Sequence, residues 1–405
     1  MRELVSFAWR NVWRNWQRTM ITAFAIGLGL ALFIIGFAYI KGFLTFALEA
    51  TTKAWTGEAQ VHDSRYAETQ QAEFTLSGGA ELVETASKLP GVAAATPRVY
   101  GPGMATMGDR TARVDLVGID LERERRVTNL ESKLSRGAWP SEPHHVLIGV
   151  KLAEALELSV GDKLVLTAAD VESGALNSHL ARISGLLYSS NAYVDRQAAL
   201  VPLPAARQLL GLQQGVHEIA LDLRVPADEQ AAIAAVLRPL EGPGRTVRPW
   251  QEVQRALASA LDLNNKIMWL SVLVVFLIAA FGIVNTMTMS FLERYREFGI
   301  LRAIGTRPRR LMALILVEAA CLGAIGVLIG NVLGLLFYWP LSIYGITIGG
   351  VEGYGISFDR TILFEFDVAA VVLVSAVFWL LTVLTALGTA RRAALVEPMK
   401  ALRQI

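Results

Sequence analysis

The chain has 405 residues, and its 38 basic and 36 acidic side chains leave a formal net charge of +2. That near balance hides an asymmetry. Arginines crowd the flanks of four long uncharged runs, whereas the segment 41–266 holds 23 basic against 27 acidic groups, an acidic excess that excludes a nucleic-acid footprint. The one cysteine, Cys321, lies within a run and excludes a disulfide framework.

Residues 1–18 read as a cytoplasmic interfacial amphipathic helix. At 100° per residue Val5, Trp9, Val12, Trp13 and Trp16 share one arc, and Arg10, Arg14 and Arg18 take the other, the pattern of a helix lying in the headgroup plane. The uncharged run 19–40 follows. About 20 helical residues cross a ~30 Å hydrocarbon core, so 19–40 is a span. It is too long for a cleaved signal peptide, and no small-x-small site follows it.

The other charge-free runs are 267–292, 319–351 and 368–390. With Glu318 admitted near the start of the third run, the predicted spans are 19–40, 267–292, 311–340 and 367–390. The predicted fold class is therefore an integral membrane α-helical protein of four spans with a large extracytoplasmic mixed α/β (α+β) domain between the first two. Fourteen basic residues flank one side: Arg2, Arg10, Arg14 and Arg18; six arginines in 293–310; and Arg391, Arg392, Lys400 and Arg403 in the tail 391–405. The opposite short loop, 341–366, has Arg360 among acidic residues. Basic short loops stay inside, so both termini are expected in the cytoplasm and the insert 41–266 outside.

The insert is 226 residues long, enough for one large domain or two modest ones. Segments 146–149, 163–167 and 218–223 read as strands, and 82–89, 151–156 and 228–237 as helices, which predicts an α+β or α/β fold of short strands. Pro and Gly at 90–92, 101–103 and 241–244 read as turns. From Trp250 to Leu292 nothing breaks the helical pattern, so one continuous stalk helix is expected. The first span is expected to extend outward over 41–54, against the weakening effect of Gly42.

In the third span Gly326, Gly330 and Gly334 form consecutive small-xxx-small steps, with Gly323 just before them. Such glycines let two helices approach closely in lipid, either within the subunit or across a dimer axis. Glu318 is an intramembrane ionisable group, which calls for a partner or a functional role unless it reaches the interface.

The connector 293–310 is the most informative stretch. Glu293, Arg294, Arg296, Glu297 and Arg302 surround Phe298, Leu301 and Ile304, while Pro308 suits the first turn of the next helix with Thr306 as its cap. The pattern predicts a short amphipathic helix against the cytoplasmic membrane face, longer than a simple span-to-span turn requires.

Here the chain resembles the FtsX-like permeases of ABC transporters, the family that includes the lipoprotein-releasing LolC and LolE subunits and the membrane half of MacB. The pattern ArgGluxGlyxxArgAlaxGly is met by Arg296, Glu297, Gly299, Arg302, Ala303 and Gly305. Residues 9–19, 146–166, 248–253 and 391–403 are also similar, so the likeness covers nearly the whole chain. The resemblance implies mechanotransmission. Two permeases, identical or homologous, pair; two copies of a separate ABC ATPase dock on the cytoplasmic connector; and the external domain, with a mixed α/β lobe and a β-rich one, moves on substrate. By the resemblance Glu293 to Arg302 carry the ATPase contact, with Phe298, Leu301 and Ile304 as apolar anchors, and Gly305 completes the motif.

The chain has no GlyxxxxGlyLys(Ser/Thr) loop, so no cofactor is expected on it and ATP with Mg belongs to the partner. It is expected to be non-catalytic: neither a GlyxSerxGly elbow nor HisGluxxHis is present. His144 and His145 lack a recognisable metal-ligand spacing, so no metal site is expected. The implied function is lipoprotein release from the bacterial inner membrane, because GlyGluAlaGlnValHis at 57–62 with Tyr66 is similar to that branch. The alternatives are MacB-like export of peptides or small amphiphiles and FtsX-like signalling to a cell-wall hydrolase, the latter disfavoured by the size of the insert.

Overall fold

The computed structural model describes residues 2–14, 16–225, 229–347, 349, 352–353, 355–357 and 361–397; the basic tail residues Lys400 and Arg403 and the loop residue Arg360 lie outside them. The chain forms two compact units. One comprises Met1–Phe43, Asp262–Ile346 and Ile362–Ile405; the other comprises Leu44–Leu261 with Thr347–Thr361.

The long helices and the short ones beside them are α1 (Arg2–Arg14), α2 (Trp16–Leu48), α3 (Arg255–Glu293), α4 (Tyr295–Ala303), α5 (Pro308–Tyr344), α6 (Val368–Thr385) and α7 (Leu387–Ala394), and further short helices, among them Gly79–Ser87, Val150–Leu156 and Gln230–Leu237, lie in the second unit. Among the described residues, four helices are long and apolar enough to cross a membrane: α2, α3, α5 and the α6–α7 pair. Leu270, Ile278 and Phe281 on α3, Leu328 and Leu336 on α5, and Val372 and Leu373 on α6 are exposed. Apolar surface on this scale is costly in water and stable against lipid tails.

The helices outrun the uncharged stretches, because a span continues into polar solvent wherever its backbone bonds persist. Past Ile40, α2 continues through Gly42 and passes into a π-helical segment, Glu49–Thr56. Gly42 has a packing reason: a Cβ there would sit 1.9 Å from the Leu363 carbonyl oxygen, on a backbone held by the Glu365 amide donating to Ala38 O at 3.1 Å. The expected unbroken helix from Trp250 is corrected. A short helix, Trp250–Val253, ends at Gln254 (φ −109°, ψ 57°) before α3 begins. Trp250 is buried, and its amide donates to Glu58 O, so this turn belongs to the sheet.

Among the described residues the main sheet of the second unit holds ten strands: β1 (Ala59–Asp63), β2 (Val92–Met107), β3 (Arg110–Ile119), β4 (Leu134–Gly137), β5 (His145–Gly149), β6 (Lys163–Ala169), β7 (Leu176–Leu187), β8 (Ala198–Pro202), β9 (Glu218–Leu223) and β10 (Arg245–Pro249). Their order is β10-β1-β9-β2-β3-β8-β5-β7-β4, with β6 bridging β2 and β7. That bridge closes β2, β3, β8, β5, β7 and β6 into a ring, while β10, β1 and β9 extend the sheet from the N-terminal half of β2. Pairing is parallel between β3 and β8 and between β5 and β7, and antiparallel elsewhere.

The strands are not uniformly short, because β2 has 16 residues and serves both parts of the sheet. It pairs with β9 up to Arg98 and with β6 from Gly103. GlyProGly at 101–103 is therefore strand rather than turn. Pro102 falls in the gap between those two partners, where a missing N–H is tolerated. Gly101 is required by space, since a Cβ would meet Leu210 Cδ2 at 2.3 Å. Alternation assigns Leu116, Ile148 and Ala199 to one core and Val117, Leu147 and Leu200 to a second on the other face. Burial on both faces explains why these strands read as continuous apolar runs.

Candidate functional site

Between α3 and α5 the chain makes a compact corner. Helix α4 has nine residues and ends in a Schellman motif, with the Thr306 amide bonding Leu301 O at 3.0 Å and the Gly305 amide bonding Arg302 O at 3.1 Å. Gly305 takes φ +93°, a left-handed conformation that favours glycine, and the Arg302 guanidinium donates to Thr306 O at 3.1 Å. Arg307, not Thr306, occupies the N-cap of α5, without a side-chain cap bond, because the Thr306 backbone is engaged in closing α4. Pro308 opens α5 as expected.

Arg294, at the corner itself, is buried. Its Nε donates to Glu297 Oε2 at 3.0 Å and its Nη1 to Glu318 Oε2 at 3.1 Å. The guanidinium lies 5.0 Å from the centroid of the Phe298 ring. With its amide oxygen turned inward, Asn11 of α1 accepts a further bond at 3.0 Å. Two exposed pairs continue the network, Arg14–Glu297 at 3.0 Å and Arg18–Glu293 at 2.8 Å. Exposed pairs contribute little singly, about 0–1 kcal/mol, so the buried centre decides the geometry. Burial pushes the Glu297 carboxyl up, but hydrogen bonds from Arg294 and Arg14 outweigh it and hold it below its usual range. A cavity of about 30 Å³ beside Arg294, Glu318 and Ser290 has room for a water or two.

The three apolar residues of the connector do not form one stripe. Phe298 is buried among Ala8, Phe291, Leu311, Leu314 and Ala390, so it anchors α4 to its own chain. Gly299 is also buried, Leu301 and Arg302 are half-buried, and Ile304 is 73% exposed past the helix end. The outward side instead carries Arg296, Ile300 and Ile304, spaced by four, with Glu297 turned to Arg14 of α1 and Glu293 to Arg18 of α2. That i, i+4 spacing was the sequence signal for Ile300. On α1, Ala8 and Val12 pack inward and Trp9 and Trp13 are exposed, as is Trp16 at the start of α2, while Arg14 and Arg18 meet the connector carboxylates rather than bulk solvent alone.

The glycines of α5 face α2 inside the same unit. A Cβ at Gly326 would meet Ile26 at 2.9 Å, at Gly330 the Gly27 carbonyl oxygen at 2.8 Å, and at Gly334 Ile34 at 2.9 Å. Gly27 reciprocates, with a Cβ there 2.9 Å from Gly326 O. Gly323 faces α6 instead, at Thr382. Glu318 thus finds its partner, Arg294, about two turns N-terminal to this tight crossing.

In the other unit, sequence reasoning missed a buried charge cluster. Arg98 bonds Glu124 at 2.6 Å and Glu218 at 2.9 Å, and its guanidinium stacks 4.4 Å from the Trp55 ring centroid. Burial opposes the Arg98 charge, yet Glu124 and Glu218 hold its pKa well above the usual value. Lys53 of the π-helical segment bonds both Asp222 and Glu58. Beside the cluster lies a cleft of about 580 Å³ walled by Trp55, Tyr66, Tyr100 and Tyr193, with His62 and Glu218 in its lining. The partners stand 26 and 120 positions from Arg98, so no spacing in the sequence reveals them.

Comparison with known proteins covers both units. Residues 19–238 match the family model of the MacB-like periplasmic core domain, and residues 269–398 that of the FtsX-like permease C-terminal region. The lipoprotein-releasing system transmembrane protein LolC of Neisseria meningitidis is 25% identical, covering 95% of this chain and 94% of its own. LolE of Haemophilus influenzae is 22% identical over 94% of this chain and 93% of its own. The macrolide export ATP-binding/permease protein MacB of Syntrophobacter fumaroxidans is 28% identical over 46% of this chain and 31% of its own.

Proposed function

From a chain that belongs to the family of permeases with a MacB-like periplasmic core domain and an FtsX-like C-terminal region, and is thus an ABC-transporter permease of the LolC/MacB type, we propose a mechanotransmitting subunit that releases lipoproteins from the inner membrane. A separate ATPase docks on the outward side of α4, at Arg296, Ile300 and Ile304. Arg294 then carries the displacement inward, to α5 through Glu318 and to α1 through Asn11 and Glu297. The periplasmic domain moves in response and frees an acylated cargo.

The observation that carries this reading is the two-sidedness of α4. Its inner face is fixed by a buried ion pair and an aromatic anchor, and its outer face presents an arginine and two isoleucines with no ion-pair partner for Arg296 among the described residues. Apolar groups beside a cation are the chemistry of a partner surface. ATP and Mg belong to the partner, two copies of which serve a pair of permeases, and the charge asymmetry of the spans supports both termini in the cytoplasm. The lipoprotein branch is favoured because its relatives align along nearly the whole chain, whereas the MacB relative aligns over less than half.

The test is co-expression with a candidate ABC ATPase from the same genome. Wild-type permease is expected to retain the ATPase through detergent purification, and the Arg296→Glu/Ile300→Asp/Ile304→Asp variant to lose it while its thermal unfolding is unchanged. Retention of the ATPase by that variant removes the docking assignment. In proteoliposomes a triacylated lipopeptide is expected to stimulate ATP hydrolysis. Stimulation by soluble macrolides alone transfers the chain to the export branch.

A further inference from the structure

A cluster unrelated to the connector stands at the start of β5. The sequence there is TrpProSerGluProHisHis, residues 139–145. Consecutive side chains on an extended strand point to opposite faces, which is why adjacent histidines are an unpromising ligand pair. Here the backbone turns instead: the His145 amide donates to Glu142 O at 3.0 Å, and Pro140 and Pro143 restrict the loop. As a result the Nε2 atoms of both histidines converge on one oxygen. Glu142 Oε2 lies 2.9 Å from His144 Nε2 and 3.6 Å from His145 Nε2, and one donor atom from each of the three residues falls within 4.8 Å of the others.

We propose that Glu142, His144 and His145 form a binding site for a borderline divalent transition-metal ion of the Zn²⁺ class. Two imidazoles and one carboxylate suit Zn²⁺, Ni²⁺ or Cu²⁺, and a shortage of oxygen donors disfavours Mg²⁺ and Ca²⁺. Three protein ligands at an exposed loop leave a fourth position to water. The cation takes the place between the imidazole Nε2 atoms and the carboxylate that an Nε2–H occupies, so the three side chains need only small rotations to contract around it. Ser141 N–H bonds His145 Nδ1 at 3.3 Å. Coordination through Nε2 moves the imidazole proton to Nδ1, and this weak bond is given up.

A third imidazole supports the assignment. His179, on the neighbouring β7, bonds the Pro143 carbonyl, while its Nε2 is buried without a hydrogen-bond partner among the described residues. Its bond to Pro143 anchors the loop that presents the ligands. The alternative, an ordinary polar loop, leaves two histidines and a carboxylate meeting by chance.

Isothermal titration of the full-length, tag-free permease with ZnCl₂, MgCl₂ and CaCl₂ at pH 7.5 tests the proposal. One equivalent of Zn²⁺ is expected to bind, and neither Mg²⁺ nor Ca²⁺ is expected to compete. His144→Ala, His145→Ala and Glu142→Gln should each weaken Zn²⁺ binding about tenfold or more. Circular dichroism confirms that each surface variant is folded. Failure of the wild type to bind stoichiometrically, or unchanged binding by the His144→Ala/His145→Ala variant, overturns the site.

Discussion

Arg294 and Glu318, 24 positions apart, meet in a buried ion pair at 3.1 Å, and this contact ties the short helix α4 to the long helix α5. Removing one member strands the other away from water. Arg294→Met is therefore expected to cost about 3–5 kcal/mol. Arg294→Met/Glu318→Leu should recover most of that loss, because two apolar side chains need no solvation, yet stay uncoupled from the ATPase. Thermal unfolding in detergent with ATPase assays on the complex reads both outcomes. Equal destabilisation by the single and double variants would refute the pairing.

Phe298 and Ile304 should separate folding from docking. Phe298→Ala opens a cavity in a packed cluster and is expected to cost about 3–5 kcal/mol. Ile304→Asp lies on exposed surface beyond the helix end, so stability should change by less than about 0.5 kcal/mol while ATPase retention falls. A stable Phe298→Ala protein that loses only its ATPase would reverse these roles.

Gly330 stands against the Gly27 backbone. Gly330→Leu must part α2 and α5, whereas Gly330→Ala asks for a smaller shift. The expected order of melting temperature is wild type, then alanine, then leucine, with the leucine variant destabilised by about 1–3 kcal/mol or more through overpacking. Since the contact lies within one unit, diluting the protein should not change the ranking. A concentration-dependent ranking would move this glycine face to a subunit interface.

His217 gives the α/β unit an acid sensitivity. Its Nδ1 accepts from Tyr100 N–H at 2.9 Å and its Nε2 donates to Ala72 O at 2.7 Å, which fixes the neutral tautomer. Burial pushes its pKa down, so below about pH 6.5 the unfolded chain takes up a proton that the folded one refuses. Stability from this group is complete above that pH and declines as pH falls below it, by at most about 1.4 kcal/mol per pH unit. Denaturant unfolding between pH 7.5 and 5 should show the slope, and His217→Gln should flatten it. An unaltered slope in the variant assigns the sensitivity elsewhere.

How much was legible beforehand differs between the two units. Charge-free runs showed the four long helices because lipid solubility is a property of composition. The motif around Arg296 and Gly305 gave the connector, and Gly305 proved to be the left-handed stop of α4. Turn chemistry misled at GlyProGly 101–103, where glycines serve close packing inside a strand, and at Trp250, where a buried indole breaks an otherwise helical pattern.

The sequence by itself determined the apolar helices, the basic flanks and the family motif, since each depends on residues near one another in the chain. Tertiary structure alone decided that Phe298 turns inward while Ile300 turns out, that the glycines of α5 meet α2, and that Arg98 is satisfied by Glu124 and Glu218. Periodicity fixes the angle of a side chain about its own helix or strand. Which distant surface fills that direction depends on how the whole chain closes, and the energy of a buried charge or a missing Cβ depends on that neighbour.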